Sequence, residues 1–509
     1  MKKQAKGIIA LSAVLAAMLG GGYAYMKLTP EEGKGGNNNT NSTMELIATQ
    51  AVGQGTVLVS DNGNENAVVK SAVIKNSEGV LDIVMKKVPQ EEGDAVTVYT
   101  FENGDDINAD TSKLTSLING GNGLQAKELI AEGCDDLSKY GLDNPVAEVE
   151  LTYESGNKVK FYLGDDTPSG DATYCMVDGK KDVYIVSAGT IADFKKGQKD
   201  FISKVMLAKP ENNEYPIINS LRIQRGDMDE DMLIEYDDKS SDKKSGGTSA
   251  SHKLVSPVES YLAVEKSTNI TTGMFGLTAS DVYAVDCNDE DIKKAGLDAP
   301  FCTVTMDCDD GNTYKLLLSE PYAGDSGKKC SNAMFEGGKV IFIVPVDNAK
   351  WLTVNPIDIV TRLLITNYVW NISELSVKDA DEKVDFAIMP KDKDNIPDSP
   401  KSSDFIVKKN GEDFDSERYR LFYSFLTGTN AEEFAIDVPV PDGEPMATLS
   451  YKDDHANTTT TYEFYDDSLM RSLIVINGES RYYCTKSYVN TLIENIKRIG
   501  TGEDYIKNW

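Results

Sequence analysis

Apolar and polar residues alternate in short runs along most of this chain from about Ala67 onward, and clusters of Gly, Asn and Asp separate the runs. Period-two runs bounded by turn residues predict half-buried strands. Ala67 to Ile74, Val80 to Val88 and Ala95 to Phe101 give a predicted three-stranded antiparallel opening. A helical stretch follows, with Leu114, Leu117 and Ile118 at helix spacing, then Leu124 to Ile130 and Asp135 to Tyr140. Ala147 to Tyr153 and Lys158 to Leu163 form a hairpin around Ser155-Gly156-Asn157, and Thr173 to Val177 pairs with Asp182 to Ser187 around Asp178-Gly179-Lys180. Ile191 to Val205 reads as a closing helix.

The same order of patterns returns twice. Strands are predicted at Ser220 to Gln224, Met232 to Tyr236 and His252 to Val255, helices at Tyr261 to Phe275 and Ser280 to Val285, a hairpin turn at Asp310-Gly311-Asn312 and a closing helix at Asn348 to Leu364. A third series begins near Ile372, with strands Leu375 to Lys378, Val384 to Met389 and Phe405 to Lys408 and a helix Ser416 to Leu426. It ends with strands Ala447 to Tyr451, Thr459 to Tyr465, Ser472 to Ile476 and Arg481 to Thr485 and a helix Lys486 to Ile499.

One short motif anchors the repetition. Gly141-Leu142-Asp143-Asn144-Pro145 recurs as Gly296-Leu297-Asp298-Ala299-Pro300, and the same spacing carries Val149 to Val304, Gly156 to Gly311, Lys160 to Lys315 and Leu163 to Leu318. A worn form, Ile436-Asp437-Val438-Pro439, lacks the Gly. The motif predicts a helix-to-strand corner: Gly141 takes the left-handed residue that ends the helix, Leu142 drops into the core, and Pro145 blocks helix continuation. Asp143 has an acceptor side chain suited to N–H groups left open in the turn. The same roles fall to Gly296, Leu297, Asp298 and Pro300, and in part to Ile436, Asp437 and Pro439, so the part assigned to all these residues is structural.

The predicted fold is therefore α+β: an N-terminal transmembrane helix (1–27), a flexible polar tether (28–66), and three tandem repeats of antiparallel sheet with packed helices at 67–209, 217–366 and 372–500, before a tail at 501–509. Two polar runs, Asp237 to Ser251 and Pro390 to Ser403, fall between the second and third opening strands of their repeats and read as insertions at one loop site. Lys2, Lys3 and Lys6 precede an uncharged run from Gly7 to Met26, long enough to span a bilayer. Lysines on the short leading side place the rest of the chain outside the cytoplasm. Ala24-Tyr25-Met26 is a poor cleavage site, which favours an uncleaved signal anchor over a removed signal peptide.

Charge and inventory narrow the chemistry. Lys and Arg number 52 against 82 Asp and Glu, a net charge of −30, and such a surface repels nucleic acid and anionic lipid headgroups. Seven cysteines rule out a complete disulfide set, and buried free thiols acting as small hydrophobes are the expectation. The two histidines, His252 and His455, are expected in exposed turns, and no nucleophile elbow, phosphate loop or paired zinc histidines occur. Asp307-Cys308-Asp309-Asp310-Gly311 starts like a calcium loop but has its Gly one position early and reads better as a turn. No catalytic, cofactor or metal residues are therefore expected.

The corner, together with Leu163-Gly164-Asp165, resembles the DUF4340 family. The second repeat keeps the corner but has Leu318-Ser319-Glu320 at the later step, and the third loses the Gly. The resemblance implies an extracytoplasmic accessory protein found beside ABC transport systems of the gliding-motility type, with a permease or its extracytoplasmic partner as the partner and the membrane reached through the N-terminal helix. It carries over no catalytic residues. The leading expectation is a non-enzymatic accessory or scaffold, and the alternative is a cell-surface binding module for a glycan, peptide or divalent cation. An undetected hydrolase ranks third.

Overall fold

A computed structural model describes residues 51–89, 95–104, 107–237, 249–324 and 327–509. Among the described residues there are three antiparallel sheets and a few helices, mostly β at 41% strand against 19% helix. No helix among the described residues is long and apolar enough to cross a membrane. The Gly7–Met26 run and the Thr29–Thr43 stretch lie outside the described residues. The described residues form two compact units, one of those up to Glu214 with Phe275–Ala299 and Tyr322–Asn348, the other of Tyr215–Met274, Pro300–Pro321 and Ala349–Trp509.

In the first unit one sheet holds β1 (Val69–Asn76), β2 (Gly79–Val88), β3 (Val96–Phe101), β4 (Glu128–Ala131), β5 (Ala147–Tyr153), β6 (Lys158–Asp166), β7 (Ala172–Val177) and β8 (Val183–Ser187), in the spatial order β3-β2-β1-β5-β6-β7-β8-β4. Alternation along β5 sends Ala147, Val149, Leu151 and Tyr153 into the core. The opposite face carries Glu148 and Glu150, paired across to Lys160 and Lys158 on β6. The helix Thr111–Gly121 covers the inner face with Leu114, Leu117 and Ile118, and Asp110 caps it by accepting from the Lys113 N–H. The same unit also contains Asp281–Val285, Lys329–Phe335 and Val340–Pro345 as neighbouring antiparallel strands, and the helix Asp289–Lys294.

In the second unit Ile218–Arg225 lies between Met232–Tyr236 and Cys302–Cys308, with Ser249–Ser256 and Ser260–Ala263 beyond the former and Thr313–Leu318 beyond the latter. Its other sheet runs Glu412–Phe414, Phe405–Lys409, Lys383–Pro390, Ile372–Asp379, Ala447–Asp453, Thr458–Asp466, Arg471–Ile476, Glu479–Thr485, Glu433–Phe434. Apart from the added outer strand Glu412–Phe414, this is the order of β1 to β8 in the first unit. Helices Ser416–Leu426 and Lys486–Thr501 bury Tyr419, Phe422, Phe425, Tyr488, Leu492 and Ile496 against it. The Arg418 guanidinium donates to the carbonyls of Arg498, Gly502 and Glu503 and lies 4.6 Å from the Tyr505 ring centre, tying the tail after Thr501 to the core.

Several local expectations change. Glu128–Ala131 and Asp281–Val285, read as helical, are strands pairing with β8 and Val340–Pro345, because a short apolar run takes whichever form its neighbours complete. The closing helices are broken. Ala188–Ile191, Ala192–Lys195 and Gln198–Phe201 are single turns split at Gly197, and Lys350–Leu352 is separated from Pro356–Ile359 by Asn355 and its proline. The polar tether also ends sooner than residue 66. Val59 is fully buried and its carbonyl accepts from Gly123, as the apolar triplet Val57-Leu58-Val59 requires.

Candidate functional site

Gly141 ends the turn Leu137–Tyr140 at φ 65°, ψ 18°, donating to the Ser138 carbonyl, while Leu142 is buried and donates to Leu137. Gly296, at φ 72°, follows the helix Asp289–Lys294 and donates to Lys293, and Leu297 is buried in turn. Pro145 and Pro300 are half-buried just before their strands. Asp143 and Asp298 are exposed and accept no bond from the turn among the described residues, so the acceptor role expected of them is not used. In the third series the left-handed residue is Asp437, at φ 52°, and Ile436 and Pro439 are exposed.

The first corner touches a second motif. A Cβ on Gly141 would lie 2.5 Å from Cγ of Asp165, and one on Gly164 would overlap the Tyr140 carbonyl oxygen. Gly164 and Asp165 form a bulge where the β6–β7 register slips between Leu163 and Asp166. The matching strands Thr458–Asp466 and Arg471–Ile476 keep their register without a slip. There Ala435 and Tyr465 stand at the two glycine positions and pack with Leu473, Val475 and Tyr483. Both glycines are lost together.

The strongest departure from the shared pattern is Asp453. The inward positions are Ala147, Val149, Leu151 and Tyr153 on β5, Cys302, Val304, Met306 and Cys308 in Cys302–Cys308, and Ala447, Leu449, Tyr451 and Asp453 in Ala447–Asp453. A carboxylate, 3% exposed, thus occupies a position held by Tyr or Cys elsewhere. Its Oδ1 accepts from the N–H groups of His455 and Ala456, and its Oδ2 from Asn367 Nδ2 at 2.6 Å. Asn367 is fixed in turn: Tyr451 donates its hydroxyl to the side-chain oxygen at 2.8 Å and Tyr423 donates to the backbone carbonyl at 3.0 Å. The strand predicted at Ala447 to Tyr451 stops short of Asp453, and the signal that reveals it is its place as the fourth inward residue of an alternating strand.

Asp453 and Asn367 line a groove of about 790 Å³ with Tyr368, Trp370, Asn371 and Arg420. Trp370 stacks on Phe405 at 4.4 Å, which fixes its ring, whereas Tyr368 is 49% exposed at the wall. At the rim Glu417 accepts from Arg420 at 3.0 and 2.5 Å and from Ser402, and these partners hold its carboxyl at about 2, well below the usual range. The groove therefore offers fixed amides, a buried carboxylate, hydroxyls and aromatic walls, with its strongest ion pair satisfied internally.

Other candidates resolve into scaffold. His252 sits half-buried within the strand Ser249–Ser256, not in an exposed turn, with Nε2 2.8 Å from the Ile218 carbonyl; burial lowers its pKa. His455 is exposed. All seven cysteines are free thiols, and all but Cys134 are buried. Asp307 pairs with Ser220 and Thr313, and Asp310 accepts from Asn312 in the Gly311 turn. No group of three or more His, Cys, Asp or Glu among the described residues is placed to hold a metal ion.

Residues 100–244 match the family described as Domain of unknown function (DUF4340). The chain carries a DUF4340 domain. The DUF4340 stretch opens at the end of β3, takes in the first corner and the Gly164 bulge, and runs on through Ile218–Arg225 and Met232–Tyr236. The groove around Asp453 lies outside the DUF4340 match. No curated protein and no solved structure matches the chain.

Proposed function

We propose that this protein is a membrane-anchored, extracytoplasmic, non-enzymatic accessory or scaffold of an ABC-type transport system, built from three tandem copies of one sheet unit. The observation that carries the reading is a DUF4340 domain in a chain that opens with Lys2, Lys3 and Lys6 before the uncharged run Gly7–Met26. The common strand order of the β1–β8 sheet and the Ile372–Thr485 sheet supports the repeated unit. The partner is a permease or its extracytoplasmic component, met on the outer side. Affinity purification from cross-linked membranes with the tagged full chain tests this: co-recovery of a permease or ATP-binding subunit is expected, and repeated recovery of the bait alone would sink it.

A second reading, a cell-surface binding module for a glycan, peptide or divalent cation, is favoured by one observation, the groove over Asp453 and Asn367. Thermal shift of the purified chain against ligand panels separates it from a pure scaffold, because a ligand that binds only the folded state raises the melting temperature.

A further inference from the structure

We infer that the groove over Asp453 is a binding site for a neutral saccharide, an inference that rests on the binding-module reading. A buried carboxylate stands where the same strand elsewhere in the chain holds Tyr153 or Cys308, and burying a charge costs free energy unless hydrogen bonds hold it. Asp453 receives two backbone N–H groups on one oxygen and the Asn367 amide on the other, so it stays ordered with acceptor capacity left at the groove. Tyr451 and Tyr423 hold Asn367 from behind, which fixes the amide before any ligand arrives.

Charge selects a neutral ligand. Glu417 and Arg420 neutralise each other at the rim, and the other charged lining groups are one acid, Asp453, and one base, Lys401, leaving no excess of either sign to hold an anion or a cation. The aromatic walls, Tyr368 and Trp370, suit the apolar C–H face of a sugar ring, while Asn367, Asn371 and Asp453 suit its hydroxyls. A peptide is served less well. Ala447–Asp453 is paired on both sides, by Ile372–Asp379 and Thr458–Asp466, so it offers no free strand edge for an extended chain.

The test is isothermal titration of the full chain, purified in a non-glycosidic detergent, with maltotetraose, cellotetraose and chitotetraose, with a neutral decapeptide and with calcium chloride. At least one tetrasaccharide is expected to bind with Kd at or below about 1 mM, and Tyr368→Ala and Asp453→Asn are each expected to weaken it about tenfold or more. Tyr368 is half-exposed, so its variant keeps the melting temperature of the parent and separates lost binding from lost folding. Saccharide binding that survives both substitutions overturns the inference. If the peptide or calcium binds instead and Tyr368→Ala abolishes that binding, the saccharide inference falls while the binding-module reading stands. If no probe binds at about 10 mM, both fall.

Discussion

Gly141 and Gly164 leave no room for a single added carbon at the first corner: a Cβ on either would strike the residue beside the other, Asp165 or the Tyr140 carbonyl. The corner motif and the Leu-Gly-Asp step are therefore one device. The turn Leu137–Tyr140 is clamped to the bulge near the end of β6, the second strand of the hairpin that follows it. In the third series Ala435 and Tyr465 stand at both glycine positions and fill the gap with a small apolar cluster, whereas the second keeps Gly296 with Ser319 at the later step.

Gly164→Ala is expected to destabilise the first unit by about 2–3 kcal/mol, since the opposing atom is backbone and cannot swing aside. Gly141→Ala adds left-handed strain to a similar overlap and should cost at least as much. Urea unfolding of both variants checks this. Midpoints unchanged from the parent would mean that the two segments do not meet as described.

Alkaline pH should weaken the fold through its buried thiols. Burial pushes Cys175, Cys302 and Cys484 up to about 12 and Cys308 to about 11, from an ordinary value of 9.0. Because the folded values are raised, the unfolded chain releases these protons first. Stability is thus fully present below about pH 9 and falls as pH rises toward 12, by at most about 1.4 kcal/mol per pH unit for each thiol. Cys175→Ala should lower stability at pH 8 through the lost side-chain volume yet flatten the decline between about pH 9 and 11. A decline just as steep in the variant would remove Cys175 from the account.

How far the sequence could be read depended on where each element finds its partners. Ser416–Leu426 was legible to the residue because Asp415 caps it locally and its apolar face repeats at helix spacing. The central strands were legible from alternation, as in Ala147–Tyr153. Glu128–Ala131 was not, because four residues carry no period and the pairing with Val183–Ser187 is distant. The groove was hidden for a related reason. Lys452-Asp453-Asp454-His455 has the composition of a turn, and only the pairing of Asp453 with Ile372 and Thr458 shows that the strand reaches that far.

The third corner makes a contrary prediction about a single backbone angle. Asp437 holds φ 52° with no glycine nearby to relieve it, a conformation that Asn tolerates and β-branched residues resist. Asp437→Asn should be neutral within about 0.5 kcal/mol, and Asp437→Val should cost about 1–2 kcal/mol. Thermal melts of the two variants side by side decide it: equal melting temperatures would mean that the turn adopts another conformation in solution.

Two strand ends do the same work with different side chains. Asn76, last in β1, donates to the Phe194 and Lys196 carbonyls at 2.8 and 2.9 Å, and Arg225, last in Ile218–Arg225, donates to those of Trp351 and Val354 at 2.9 and 2.8 Å. Each pins the broken closing segment of its own unit, which has no long helix to hold itself together. Arg225 is buried and also pairs with the exposed Asp227 at 2.5 Å, so removing it leaves two carbonyls without their guanidinium donor. Arg225→Met should cost about 3 kcal/mol, and Asn76→Ala, at a less enclosed site, about 1–2 kcal/mol. Hydrogen exchange should localise the loss: the amides of Leu352 and Val354 should lose protection in the first variant and Lys196 in the second. Uniform loss across both units would mean that these side chains support the fold at large, with no special hold on the closing segments.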